Sequence, residues 1–414
     1  MSTLRRSNDY RCCSKSMLRR VQRNDSTLTY LALGGDYGFK STDQYDYSRL
    51  GAAIEKNTHL KHLIVMFITL DLNNNRLFDG LEHNSSINSL ELICDNYYLA
   101  GWRFNETLMS YQANNNLTSL KIERAGLDDG GDRVITATLR ACTNLKSITI
   151  NECGITDEQL VPMVEAMRGI HSLEEINLNE NSIGDVGCQE LVTLLRDPSS
   201  TLHQLYLQDN IIGDNGVDSI ADSLVGNNKL TDLFLAGNPF YKPEAIDSFS
   251  EALCDKLTIS RVMFSSNHTL ENLGLTEQGR WIPGYWEGYD GGYERYPLYE
   301  YLNFNRATNK RHVAIRKVVE QMKKRAYYHQ EALTDIVESL YDWDANGEWT
   351  LKSLPYVIDW YDKALVAVHE VDDDCSDDEE VPQMKLSAVY EFAKAMPLLF
   401  VPASHKVGDK KRKR

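Results

Sequence analysis

The stretches LKSITINECGI at residues 145–155, LEEINLNENSI at 173–183, LHQLYLQDNII at 202–212 and LTDLFLAGNPF at 230–240 are four copies of one pattern. Aliphatic residues hold the first, fourth and sixth positions, the last two alternating as in a strand with one buried face. The ninth position is Cys153, Asn181, Asn210 or Asn238, and Ile155, Ile183, Ile212 or Phe240 follows two residues later. A polar side chain at that offset can bond the backbone of the tight turn that leaves each strand. Between copies the period changes to that of a helix: Leu160, Met163, Val164 and Met167 lie at i, i+3, i+4 and i+7 behind Thr156, Asp157 and Glu158. Leu191, Leu194 and Leu195, then Ile220 and Leu224, repeat the design. The unit of strand, turn and helix recurs every 28 residues or so.

Outward from these copies the template fits Leu117-Leu120-Ile122, with Ala125 in the turn slot, and Ile259-Val262-Phe264, with Asn267. Upstream it fits Ile87-Leu90-Leu92, Leu60-Leu63-Val65 and Leu28-Leu31-Leu33. About nine repeats are therefore expected over residues 28–275. A rival start, Phe67-Leu70-Leu72, leaves too few residues before the next copy for strand, turn and helix. The Leu60 start is preferred, with a short return helix at Phe78 to His83. The first copies are degenerate, as end coils facing solvent usually are.

This pattern resembles the ribonuclease-inhibitor class of leucine-rich repeats. The resemblance implies an α/β horseshoe, with a parallel concave sheet and convex helices, and a protein partner. In such a coil the residue between the last two leucine positions lies on the open sheet face. Down the stack these residues are Lys121, Thr149, Asn177, Tyr206, Phe234 and Met263. Tyr206, Phe234 and Met263 are expected to form an exposed apolar stripe rimmed by Gln204, Gln208, Asp232 and Arg261. Aromatic anchors ringed by polar groups are how interface hot spots are built. Either a partner or the C-terminal segment folding back would cover such a stripe.

The 414 residues carry a net charge of −16, which argues against a nucleic-acid platform. The cysteines at 12, 13, 94, 142, 153, 188, 254 and 375 form no CxxC pair, the usage of reduced thiols in an intracellular protein. No apolar run approaches the roughly 18 residues that span a bilayer, and no apolar leader opens the chain. The sequons at Asn84, Asn105, Asn116 and Asn267 then carry no weight. Residues 1–27 form a basic arm rich in Arg and Ser, read as a flexible tail, with an organelle transit peptide as the alternative.

Past Leu275 the period breaks. Residues 276–307, with Trp281, Tyr285, Trp286 and Tyr301 among many rings, are expected to cap the last coil. Residues 308–400 are expected to form a small helical subdomain with helices near 308–326, 328–341, 350–368 and 384–396, and an acidic loop at 371–383. Asp342, Asp344, Asn346 and Gly347 copy half of a calcium loop, but Ser353 replaces its bidentate glutamate, so no metal site is expected. Ser376, followed by acids, resembles the target of an acidophilic kinase. In the tail 401–414, Lys410, Lys411, Arg412, Lys413 and Arg414 form a nuclear-localisation candidate, with a solubilising tail as the bland alternative. A nuclear or cytoplasmic, intracellular location is expected.

The chain has no GxxxxGK[ST], GxSxG or HExxH motif, and His59 and His62 fall on opposite faces of a strand. The expectation is a non-catalytic interaction scaffold with a protein partner and no cofactor, direct nucleic acid or membrane. The runner-up is a regulator of a small GTPase, because a horseshoe with an acidic C-terminal run is similar to the Ran GTPase-activating proteins. Its edge loops would then offer Arg76, Arg124, Asn179, Asn181 and Asn210 to the nucleotide site.

Overall fold

A computed structural model describes residues 15–33, 47–67, 75–94, 116–127, 131–240, 243–254, 265–275 and 297–308, with positions 310, 313–314 and 316–317. The strands are β1 Tyr30–Leu33, β2 His62–Phe67, β3 Ser89–Cys94, β4 Ser119–Glu123 and β5 Ser147–Asn151, then β6 Glu175–Asn177, β7 Gln204–Tyr206, β8 Asp232–Phe234 and β9 Asn272–Gly274. They form one open sheet in which every strand pairs in parallel with the next in sequence. The described helices are α1 Lys15–Gln22, α2 Tyr47–Glu55, α3 Asn75–Glu82, α4 Gly131–Ala141, α5 Asp157–Met167, α6 Asp185–Leu195, α7 Asp214–Leu224, α8 Pro243–Leu253 and α9 Pro297–Asn305. Strand and helix alternate along the repeats, as a leucine-rich-repeat horseshoe requires.

The register follows from burial. Leu31, Leu63, Leu90, Leu120, Ile148, Ile176, Leu205 and Leu233 stand in one column of paired residues, and all are buried. A one-residue slip of any strand would turn its aliphatic residues to water and lose about 1.5–3 kcal/mol for each one fully exposed. Leu63 pairing with both Leu31 and Leu90 settles the Leu60 start against its rival. The return helix begins slightly earlier than expected, at Asn75. On the helical layer Leu160, Met163, Val164 and Met167 are all buried, so both methionines belong to the core.

The ninth strand differs from expectation. Phe234 pairs with Gly274, not with Met263, and Leu233 pairs with Leu273. Leu270-Leu273-Leu275 fits the same template as the earlier copies, but this coil is longer: Asp232 meets Asn272 at an offset of 40 residues. A strict period placed the strand too early, at Ile259-Val262-Phe264. Asn267 therefore precedes β9, and Ile259, Val262 and Phe264 lie outside the described residues.

Two compact units are present: Met1–Leu253 with Thr269–Leu302, and Cys254–His268 with Asn303–Arg414. In the second unit, Lys317 is fully buried and its Nζ donates to the Asn267 carbonyl at 2.6 Å. Burial lowers its pKa to about 7. Among the described residues no helix is long and apolar enough to cross a membrane, and no cluster of three or more His, Cys, Asp or Glu is arranged to hold a metal ion.

Candidate functional site

The solvent face of the sheet is positioned by the turns at its edge. Asn181 Oδ1 accepts from the backbone N–H of Cys153 and Ile155, both at 3.1 Å, in the preceding coil. Its Nδ2 donates to the carbonyls of Ile150, Leu178 and Asn179 at 2.8–3.0 Å. Asn210 accepts from Ile183 N–H and donates to Leu178, Leu207 and Gln208. Asn238 accepts from Ile212 N–H and donates to Leu207 and Leu235. Each asparagine thus closes its own turn and braces the coil before it. Cys153 holds the same slot with a weaker thiol donor, 3.1 Å from the Asn151 carbonyl.

The residue just before each turn position is left-handed: Arg124, Glu152, Glu180, Asp209 and Gly237 have φ of 57°, 49°, 56°, 54° and 78°. Four of these five are not glycine, a conformation that L-residues adopt at a cost. Their side chains line one edge of the sheet. Arg124 is paired with Glu152, and Glu152 in turn shares a hydrogen bond with Glu180. That shared bond, with burial, raises the Glu180 pKa.

Helix starts carry a second brace. Asp157 Oδ1 accepts from Gly184 N–H at 2.7 Å, and Asp185 Oδ1 from Gly213 and Gly216 N–H at 2.7 and 3.0 Å. Glycine leaves room for this brace at residue 187, where a Cβ would lie 2.5 Å from Asp157 Oδ1 and 2.8 Å from Ile183 Cγ2 and would force those side chains to shift.

On the open face, Tyr206 and Phe234 stack with ring centroids 5.1 Å apart and planes 1° from parallel. Both are half-buried. A Cβ on Gly274 would sit 2.4 Å from Phe234 Cδ1, so the Phe234 ring rests over the glycine of the next strand. The aromatic patch is therefore a braced pair ending on glycine, in place of a three-residue stripe. Tyr206 Oη reaches Gln204 Oε1 at 3.5 Å, while Asp232 accepts from Thr231 Oγ1 and Asn272 Nδ2, each at 2.6 Å. Gln208 lies on the far side of Tyr206 and exchanges two bonds with Asn179. Burial, then the carboxylates of Glu175 and Asp232, raise the Tyr206 pKa.

The other end of the face is built from ion pairs. His62 Nε2 lies 2.9 Å from Glu91 Oε1, the Tyr30 ring stands 5.1 Å from the His62 ring, and Lys121 Nζ sits 2.9 Å from Glu123. The His62 bond, only partly offset by burial, lowers the Glu91 pKa.

Met263, Arg261, Ser376, Lys410, Lys411, Arg412, Lys413 and Arg414 lie outside the described residues, as do residues 276–296, the calcium-like loop and the acidic loop. Of the residues offered to a GTPase, the Arg76 side chain is likewise outside, while Asn181 and Asn210 are buried in turn bonds. Cysteines 142, 153, 188 and 254 are buried, none of them in a disulfide, and burial pushes Cys142 up to about 11. Two buried asparagines at the opposite end of the strands escaped sequence reasoning. Asn57 Oδ1 accepts from His59 and Leu60 N–H, and Asn84 Oδ1 from Ser86 and Ile87 N–H. Both stand three residues before a repeat's first aliphatic position, a spacing that marked them in the sequence.

A family model described as "Leucine Rich repeat" matches residues 169–192 and 199–221, which span β6, β7 and most of α6 and α7. No curated protein matches this chain. Among solved structures, the tropomodulin C-terminal domain of Caenorhabditis elegans covers 42% of this chain and 92% of its own at 16% identity, with a TM-score of 0.32. Leiomodin-1 actin-binding site 2 covers 49% and 93% at 17% identity and a TM-score of 0.30. An internalin from Listeria monocytogenes covers 57% and 62% at 17% identity and a TM-score of 0.34. The single parallel sheet and its repeating register give this chain a leucine-rich-repeat fold, and the matched repeats lie at its centre.

Proposed function

We propose that the chain is a non-catalytic scaffold that captures a protein on the solvent face of β6–β8. The stacked Tyr206–Phe234 pair carries this reading. Two rings held half-buried, with fixed polar groups around them, offer a preorganised anchor, and burying one in a partner contributes about 2 kcal/mol or more. The 11-residue helices α4 to α8 support a place in the ribonuclease-inhibitor-like class. GTPase activation draws no support from the edge loops. Arg124 is engaged with Glu152, and the amides of Asn179, Asn181 and Asn210 are committed to neighbouring coils. Nuclear accumulation through Lys410 to Arg414 remains part of the proposal, and comparing a fluorescent fusion with and without those five residues tests it.

The direct test is Tyr206→Ser with Phe234→Ser. Affinity capture by the full chain should lose its principal partner while the circular dichroism spectrum and thermal midpoint stay close to wild type. Unfolding of the double variant would show the pair to be internal packing, and unchanged capture would place the partner elsewhere.

A further inference from the structure

Resting on that reading, the charge around the aromatic pair defines what the face takes. The outward positions of β6–β8 and the residues continuing them are Glu175, Asn177 and Asn179, then Gln204, Tyr206 and Gln208, then Asp232, Phe234 and Ala236. This set holds two carboxylates and no cation. On β2–β4 the outward carboxylates Glu91 and Glu123 already share the Lys121 ammonium, 4.0 and 2.9 Å away, and Glu91 also bonds the His62 ring. Among the described residues the aromatic end has no such internal compensation.

The two carboxylates differ in a useful way. Asp232 is fixed by bonds from Thr231 and Asn272, so its oxygens are oriented before any ligand arrives. The Glu175 carboxylate has no hydrogen-bond or ion-pair partner among the described residues. Both act electrostatically on Tyr206 and thus flank the ring pair. Phe234 is covered by Tyr206 on one side and by Gly274 on the other. The second face of Tyr206 is turned toward the coil of Asn177, its paired residue. A planar cation laid against that ring would meet π density and a carboxylate together, the combination that guanidinium satisfies better than ammonium.

We infer that the solvent face of β6–β8 binds a basic peptide segment of its partner, with an arginine seated on the Asn177 side of the Tyr206 ring, beside Glu175, and with Asp232 adding negative charge from the far side of the ring pair. The bond set is electrostatic and stacking, and no covalent step is involved.

The test uses the full chain and fluorescent dodecapeptides of alternating glycine with arginine, lysine or aspartate, followed by anisotropy at physiological salt. The arginine peptide should bind several-fold tighter than the lysine peptide, and the aspartate peptide should not bind. Glu175→Gln should weaken arginine-peptide binding about tenfold, about what one lost charge-assisted contact is worth. Glu158→Gln, which removes one carboxylate from α5, should leave it unchanged. Equal losses in the two variants would reduce the effect to net charge and overturn the site, as would an unaltered affinity in Glu175→Gln or no binding at all. Equal binding of arginine and aspartate peptides, abolished by Tyr206→Ser with Phe234→Ser, would overturn the cationic partner while sparing the proposed face. Tighter binding of a single-stranded oligonucleotide than of any peptide would overturn both.

Discussion

The N-terminal coils and the central coils solve one problem from opposite ends of their strands. A solenoid coil must satisfy the backbone groups of its turns and fix itself to its neighbour. In the central coils an asparagine after the strand does both, at Asn181, Asn210 and Asn238. The corresponding positions in the first four coils are Asp36, Ile68, Asp95 and Ala125. In the second and third of these coils the brace stands before the strand. Asn57 Nδ2 donates to Val21 O, and Asn84 Nδ2 to Ile54 O and Asn57 O. Central coils have Cys142, Ile170 and Ser199 at that earlier place, and only Asn227 restores an asparagine. Either end of the strand accepts the amide, and the coil that carries Asn227 and Asn238 uses both.

The helical layers differ as well. A Cβ at Gly80 would lie 2.0 Å from the Gly51 carbonyl oxygen, so α2 and α3 meet backbone to backbone. Gly80→Ala should therefore give the largest loss, about 3 kcal/mol, read from the urea midpoint. Gly187→Ala presses on the movable Asp157 side chain and should cost about 1–2 kcal/mol. Equal costs would mean that the two layers pack alike.

Asn84→Ala and Asn181→Ala should each cost about 1–3 kcal/mol, because buried amides and carbonyls lose their partners. Amide exchange should quicken locally, around residues 54–60 and 84–90 for the first and around 150–156 and 178–183 for the second. A loss spread evenly over all coils would contradict separate bracing.

The responses to pH should have opposite signs. Glu91 is held below its usual pKa of 4.5 by the His62 bond, so its contribution is present above that value and is lost as pH falls through the folded pKa. Glu180 is raised above 4.5 by sharing a bond with Glu152, so its contribution is present at low pH and fades as pH rises through its folded pKa. Thermal midpoints between about pH 3 and 7 should show Glu91→Gln removing an acid-side decline and Glu180→Gln removing a small penalty at neutral pH. Matching profiles for both variants would refute the contrast.

The smallest effect is expected at the left-handed column. Asp209→Gly should be neutral or stabilising by about 0.5 kcal/mol, since relief of the αL penalty exceeds the added chain entropy of glycine. A clear destabilisation would show that the Asp209 side chain contributes more than its backbone costs.

Much of this was legible in the chain. LxxLxL marks strands because two aliphatic positions two apart and a third beyond them are buried in every coil, and eight of the nine strands fall where the template places them. The ninth did not, because a lengthened coil breaks the period while Ile259-Val262-Phe264 imitates it. The same slip named Met263 where Gly274 stands, although Tyr206 and Phe234 became neighbours as the repeat requires. The left-handed column was hidden by Glu152, Glu180 and Asp209, residue types that give no glycine signal. Asp157 reads as a first-turn acid, and nothing local shows that it or Asp185 reaches the next coil. Lys317, in a basic helical stretch, reads as solvated and is buried.

Hydrogen exchange of the full chain with and without its captured partner tests the central claim most directly. Binding on the open face requires new protection in peptides covering 204–208 and 232–236, with α5 to α7 unchanged. Protection confined to those helices, with the two strand segments exchanging as in the free chain, would contradict it.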